Sequence, residues 1–204
     1  MKIVCLSLAL VTVGICAEPS VLQQAMQEGL PLGPFRSLIA EAQAKQVPPA
    51  ELDAALQRRL TALRAAKAII LECGYGKCPA PQQQELMVAV GRAMESRVPT
   101  EALRQALKAG EGSQTMRLQA AVEAGETLKL LGLDDPTVGT LMYDFVVRKL
   151  GRGEILRAVQ FVSQQYRAGI PGPTIRDQLW NNTTTNQPRT GGGGTSYGKG
   201  RGRR

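Results

Sequence analysis

The chain has 204 residues, with 25 Lys and Arg against 17 Asp and Glu, four Cys, one Trp, and no His. That length allows one domain with a substantial core, while the lack of His removes the commonest general base, the commonest zinc ligand and the usual partner of a nucleophilic Ser or Cys. The formal charge of +8 is unevenly placed: between Glu18 and Asp177 all 17 acidic residues face 19 basic ones, so the body is nearly neutral and the excess falls on Lys2 and a C-terminal tail.

Residues Met1 to Ala17 open with basic Lys2, continue through an apolar run from Ile3 to Val13, and leave by the small-residue exit Gly14-Ile15-Cys16-Ala17. This is the layout of a secretory signal cut between Ala17 and Glu18. The apolar run falls short of the roughly 20 residues a spanning helix needs, which counts against a retained anchor. Cys16 resembles a lipoprotein acceptor cysteine only in position, because Ile15 is bulkier than the small residue such signals place there. The expectation is an exported protein, periplasmic or extracellular, with no transmembrane segment in the mature chain.

From Ser20 to Trp180 the apolar spacing is helical throughout and no stretch alternates with period two. Leu52, Leu56, Leu60, Leu63 and Ile70 form one stripe. Val138, Leu141, Met142, Phe145, Val146 and Leu150 form a second, and Ile155, Val159, Val162 and Tyr166 a third. Pro and Gly clusters punctuate them, predicting eight or nine helices joined by short turns. Asp134-Asp135-Pro136 reads as a helix N-cap followed by Pro in the first turn.

Cys73 and Cys78 stand in the sequence CGYGKC. Their spacing is neither that of a thioredoxin-like redox pair nor followed by the His of a haem-attachment motif, and two cysteines in an oxidising compartment most simply form a disulfide. Such a bridge would pin the turn between two helices.

An internal repeat runs through the turns. Val47, Pro48, Leu52, Ala55 and Leu56 fall on Val98, Pro99, Leu103, Ala106 and Leu107 at a spacing of 51 residues, and a looser copy occurs at Ile170-Pro171. Each unit is a helix, a basic or glycine exit, an aliphatic-Pro step and a second helix, a hairpin that buries its apolar face only by stacking on its neighbours. The pattern fits none of the tetratricopeptide, ankyrin or leucine-rich signatures. The expected fold is all-α: stacked helical hairpins, as an irregular bundle or short α-solenoid, over residues 18–180.

From Asn181 the sequence NNTTTNQPRTGGGGTSYGKGRGRR loses all apolar periodicity and reads as a disordered tail over 181–204. Its end resembles the arginine-glycine segments of RNA-binding proteins, but in one copy only. In an exported protein Arg189, Lys199, Arg201, Arg203 and Arg204 would instead meet an anionic envelope surface, which disfavours nucleic acid as a partner.

With no His, carboxylates are the remaining catalytic candidates. Glu51, Glu95, Glu101, Glu123 and Glu126 sit among Lys and Arg at helical spacing, as solvated helix faces do. No catalytic residue, metal ligand or cofactor is therefore assigned. The expected function is that of a non-catalytic interaction or structural protein of the cell envelope, binding an unidentified protein partner through its helical surface. The alternative is a polyanion- or membrane-surface-binding protein acting through the tail, and a carboxylate-based enzyme is the third reading.

Overall fold

The computed structural model describes residues 18–111 and 114–185. The expected signal segment, including Ala17, and the tail cations Arg189, Lys199, Arg201, Arg203 and Arg204 lie outside the described residues; Glu18 is the first residue of the first helix. Nine helices follow among the described residues: α1 (Glu18–Gln27), α2 (Gly33–Ala44), α3 (Pro49–Glu72), α4 (Ala80–Glu95), α5 (Thr100–Ala109), α6 (Thr115–Leu130), α7 (Asp135–Val147), α8 (Arg152–Arg167) and α9 (Gly172–Thr185). A 3-10 turn, Tyr75–Lys77, stands between α3 and α4, and no described residue is in a strand. The all-α expectation holds.

Six of the connections share one construction. Gly29, Gln46, Arg97, Gly132, Lys149 and Gly169 take positive φ just past a helix end. The aliphatic residue that follows each (Leu30, Val47, Val98, Leu133, Leu150, Ile170) donates its N–H to a carbonyl five residues back, at 2.8 to 3.3 Å. This is the Schellman closure, which satisfies orphan carbonyls of the last helical turn and folds the aliphatic side chain against it. Pro31, Pro48, Pro99 and Pro171 come next, each lacking the N–H that a continuing helix would need; Pro48, Pro99 and Pro171 stand directly before the following helix, whereas α2 begins at Gly33 with Pro34 in its first turn. At the α6–α7 turn Asp134 does this work: it accepts the Thr137 N–H at 2.9 Å and the Thr137 hydroxyl at 2.8 Å, as the expected N-cap. The repeated Val-Pro and Ile-Pro steps are therefore three instances of a turn used six times.

The short turns force successive helices to run antiparallel and stack in two layers. In one layer α4 packs on α6 and α6 on α8; in the other α5 packs on α7 and α7 on α9. A single core runs between them. Leu56, Leu60, Leu63 and Ile70 of the first stripe are buried there, with Leu52 half-buried at the edge. Val138, Leu141, Met142, Phe145 and Val146 of the second are buried, as are Ile155 and Val162 of the third. Helices come unusually close at two glycines: between the layers a Cβ on Gly125 of α6 would overlap Met142 of α7, and within one layer a Cβ on Gly139 of α7 would stand 3.0 Å from the Ala102 Cβ of α5.

Two local readings are corrected. Helix α9 continues to Thr185, past the expected boundary at Trp180, because extending a packed helix adds one hydrogen bond per residue even through Asn and Thr of modest helix propensity. Glu126, read as part of a solvated face, is only 8% exposed. It pairs with Arg92 of α4 at 3.0 Å and accepts a hydrogen bond from Ser96 at 3.4 Å, tying α4 to α6.

Candidate functional site

The stacking that joins α4 to α6 and α6 to α8 is not continued from α4 to α2. Both α2 and α4 pack on the long α3 instead, and a groove opens between them. One section, of about 650 Å³, is lined by Leu38 of α2, by Ala55, Arg58, Arg59 and Ala62 of α3, and by Met94 and Glu95 of α4. It passes by Leu38 and Arg59 into a section of about 420 Å³ lined by Pro34, Ser37, Val88 and Arg92. Pro34, Val88 and Arg92 lead on to a third, of about 440 Å³, that reaches Gln119 and Glu123 of α6.

The chemistry of the groove is mixed. Leu38, Val88 and Met94 offer half-buried apolar surface, and Ala55 and Ala62 keep the α3 side shallow enough for another chain to approach. Charges on the walls are largely paired: Arg59 Nε donates to Glu95 at 2.7 Å, Arg92 holds Glu126, and Lys45 holds Glu41 at 2.5 Å. The Lys45 ammonium keeps the Glu41 carboxyl below its ordinary range. Glu28, bonded by Arg64 of α3, and Asp134, bonded by the Thr137 N–H, are likewise held low. Among the described residues no three His, Cys, Asp or Glu side chains come together to hold a metal ion, and no helix is long and apolar enough to cross a membrane.

The structure brings Cys73 and Cys78 into one loop as free thiols. Tyr75 also pins this turn. Its ring is buried and its hydroxyl donates to the Leu107 carbonyl of α5 at 2.8 Å. Gly74 takes the left-handed conformation that admits the reversal. The Cys73 thiol is directed at the Arg104 carbonyl, 3.9 Å away, and burial pushes its pKa up. Burial raises the Tyr75 phenol further still. The aromatic flanked by two glycines was the signal for this role, since a Tyr in so short a loop must either pack inward or stand in solvent.

A polar cluster also forms on α7 and α9, outside the groove. Asp144, Arg176 and Trp180 are joined there, and Arg148 lies over the Trp180 ring with its guanidinium carbon 4.1 Å from the centroid. No periodicity marks these residues, because their relation exists only once α9 has returned alongside α7. No protein-family model, curated protein or solved structure matches the chain significantly, so its function rests on this geometry alone.

Proposed function

We propose that this is an exported, non-catalytic interaction protein whose α2–α3–α4 groove receives an amphipathic helix of a protein partner. The weak α2–α4 stacking carries the reading: where the layer's close contacts lapse, a groove with an apolar floor and charged walls is left, the form in which helical peptides are commonly taken up. Leu38, Val88 and Met94 would meet the apolar face of the partner, and Arg58 and Glu85 at the rims its polar face. The lack of His supports binding over catalysis.

The test is site-specific photo-crosslinking in the host that exports the protein. A crosslinking side chain at Ser37 or Gln57, both exposed at the groove, is expected to give one discrete adduct that Val88→Glu abolishes, while the same group at Gln160 on the outer face of α8 gives none. Equal adducts from all three positions, or none from the groove, would overturn the reading. Export has its own measurement: the intact mass of the purified native protein should correspond to a chain starting at Glu18.

A second reading places function in the tail. It is favoured by the course of α9, which delivers the chain at Thr185 to the same end of the stack as Arg148, Lys149 and Arg152.

A further inference from the structure

The antiparallel order sorts every helix terminus onto one of two ends. The C-termini of the odd-numbered helices and the N-termini of the even-numbered ones share an end, here called the tail end because α9 finishes there. Contacts confirm the sorting. The Thr115 hydroxyl at the start of α6 meets Gln82 at the start of α4 at 3.2 Å, and Tyr75 beyond α3 meets Leu107 near the close of α5. At the opposite end the Tyr166 hydroxyl of α8 donates to the Gly132 carbonyl beyond α6 at 2.9 Å.

Seven large apolar side chains are exposed among the described residues. Met26, Leu71 and Val147 stand in the last turns of α1, α3 and α7, Tyr143 one turn before Val147, and Met116 and Leu156 near the starts of α6 and α8. All six lie toward the tail end; only Leu130, the last residue of α6, faces the other way. Charge is sorted in the same sense. Helices α3, α5 and α7, which start at the opposite end, carry Glu51, Glu101 and Asp135 in their first turns. Of the four that start at the tail end, α2, α4 and α6 carry no acidic residue there, and the Glu154 of α8 is engaged by the Gly151 N–H. Exposed Lys77, Lys149 and Arg152 occupy the tail-end turns, where the carboxylates are Glu28, held by Arg64, Glu72, held by Arg104 and Lys108, and exposed Glu111.

We infer that the tail end is a docking surface for an anionic lipid bilayer. Single aliphatic, thioether and aromatic side chains set among cations, projecting from turns, are what a headgroup region accepts: the apolar tips enter the acyl boundary and the cations meet lipid phosphates. A nucleic acid or another phosphate polymer would leave the six apolar side chains in water. This surface is separate from the groove, and it extends the tail reading from the tail to the folded body.

The test is sedimentation of the full chain with vesicles of phosphatidylcholine, alone or mixed with phosphatidylglycerol. Replacing Met116, Val147 and Leu156 together by Gln is expected to lower partition onto the mixed vesicles about tenfold or more. Leu130→Gln should leave it unchanged, and because every variant retains residues 1–17, their contribution is common to all. Lys149→Gln with Arg152→Gln should weaken binding several-fold, chiefly at low salt; Gln already occupies the matching left-handed position at Gln46. Unchanged Trp180 emission verifies that each variant is folded. Three results overturn the inference: a triple variant that binds like the unsubstituted chain, equal binding to phosphatidylcholine alone, or binding to a phosphate polymer in preference to vesicles. Neutralising the five tail cations to Gln separates the two readings. If that alone abolishes binding while the triple variant binds normally, the tail reading stands and the body surface fails; the converse leaves the body surface standing.

Discussion

The Asp144 carboxylate of α7 accepts two hydrogen bonds from the Arg176 guanidinium of α9, at 2.7 and 3.2 Å, and a third from the Trp180 indole at 2.9 Å. Asp144 is only 8% exposed, so its charge has left most of its water and depends on these donors. Arg148 stacks on the far partner of the cluster, the Trp180 ring, which also meets Phe145 edge-on at 6.1 Å. The last helix is thereby fastened to its neighbour by one carboxylate and one indole.

Removing that carboxylate should loosen α9 before the rest of the body. Asp144→Ala leaves the Arg176 and Trp180 donors without their acceptor and is expected to cost about 1–3 kcal/mol, since the Arg176 side chain is partly exposed and can recover some hydration. Urea unfolding followed by the fluorescence of the single Trp should show a lower midpoint and an indole more open to quencher in the native baseline. Arg176→Ala should act in the same direction, and a variant with the midpoint and quenching of the unsubstituted chain would show that α9 is held by burial of Ile175 and Leu179 instead.

The N-cap at Asp134 makes a pH-dependent contribution. Hydrogen bonding from Thr137 holds its carboxyl below the ordinary value of 3.8, so the native state binds that proton less readily than the unfolded chain. The contribution is fully present above the ordinary carboxyl range and is lost as pH falls through the lowered native value. Asp134→Ala is accordingly expected to cost about 1 kcal/mol near neutrality and progressively less in acid. Thermal unfolding of the two proteins across that range measures the difference directly.

Three of the six repeated turns place a side chain where glycine is at ease. Gln46, Arg97 and Lys149 have φ of 53, 64 and 55°, and all three are exposed. Gln46→Gly and Arg97→Gly should each stabilise the fold by about 0.5–1 kcal/mol, the relief of left-handed strain exceeding the added freedom of the unfolded chain. Gly132→Ala and Gly169→Ala, at φ of 95 and 82°, should do the reverse. Denaturation midpoints compared within this set of four report the turn geometry.

The Cys loop separates the tyrosine pin from the thiols. Tyr75→Phe deletes the bond to the buried Leu107 carbonyl and should cost about 1–2 kcal/mol. Cys78 is half-buried, whereas Cys73 is buried with its thiol pKa raised, so alkylation under native conditions should modify Cys78 well ahead of Cys73. Peptide mass spectrometry over time resolves the two rates. Protein from its native host in which neither cysteine reacts until a reductant is added, with a mass lower by two hydrogens, would show that a bridge forms in that compartment.

Much of the architecture is written locally along the chain. The stripe through Leu56, Leu60 and Leu63, the N-cap at Asp134 and the aliphatic-Pro steps at Val47, Val98 and Ile170 are read within one helix or one turn, because helix periodicity and capping depend on residues no more than a few positions apart. The same turn at Lys149 and Gly132 is harder to see, since Gly151 and Asp134 replace the Pro that marks the others and the Schellman bond is a matter of φ rather than composition. Burial of Glu126, the union of Asp144 with Arg176 and Trp180, and the groove beside α3 have no local signal at all. They arise from contacts across some thirty residues or more, and only the packed arrangement of antiparallel helices determines which charges lose their water. The nearly neutral body was legible from charge counting alone; that six of its seven exposed large apolar side chains lie toward one end follows from helix parity, which exists only once the chain has folded back and forth on itself.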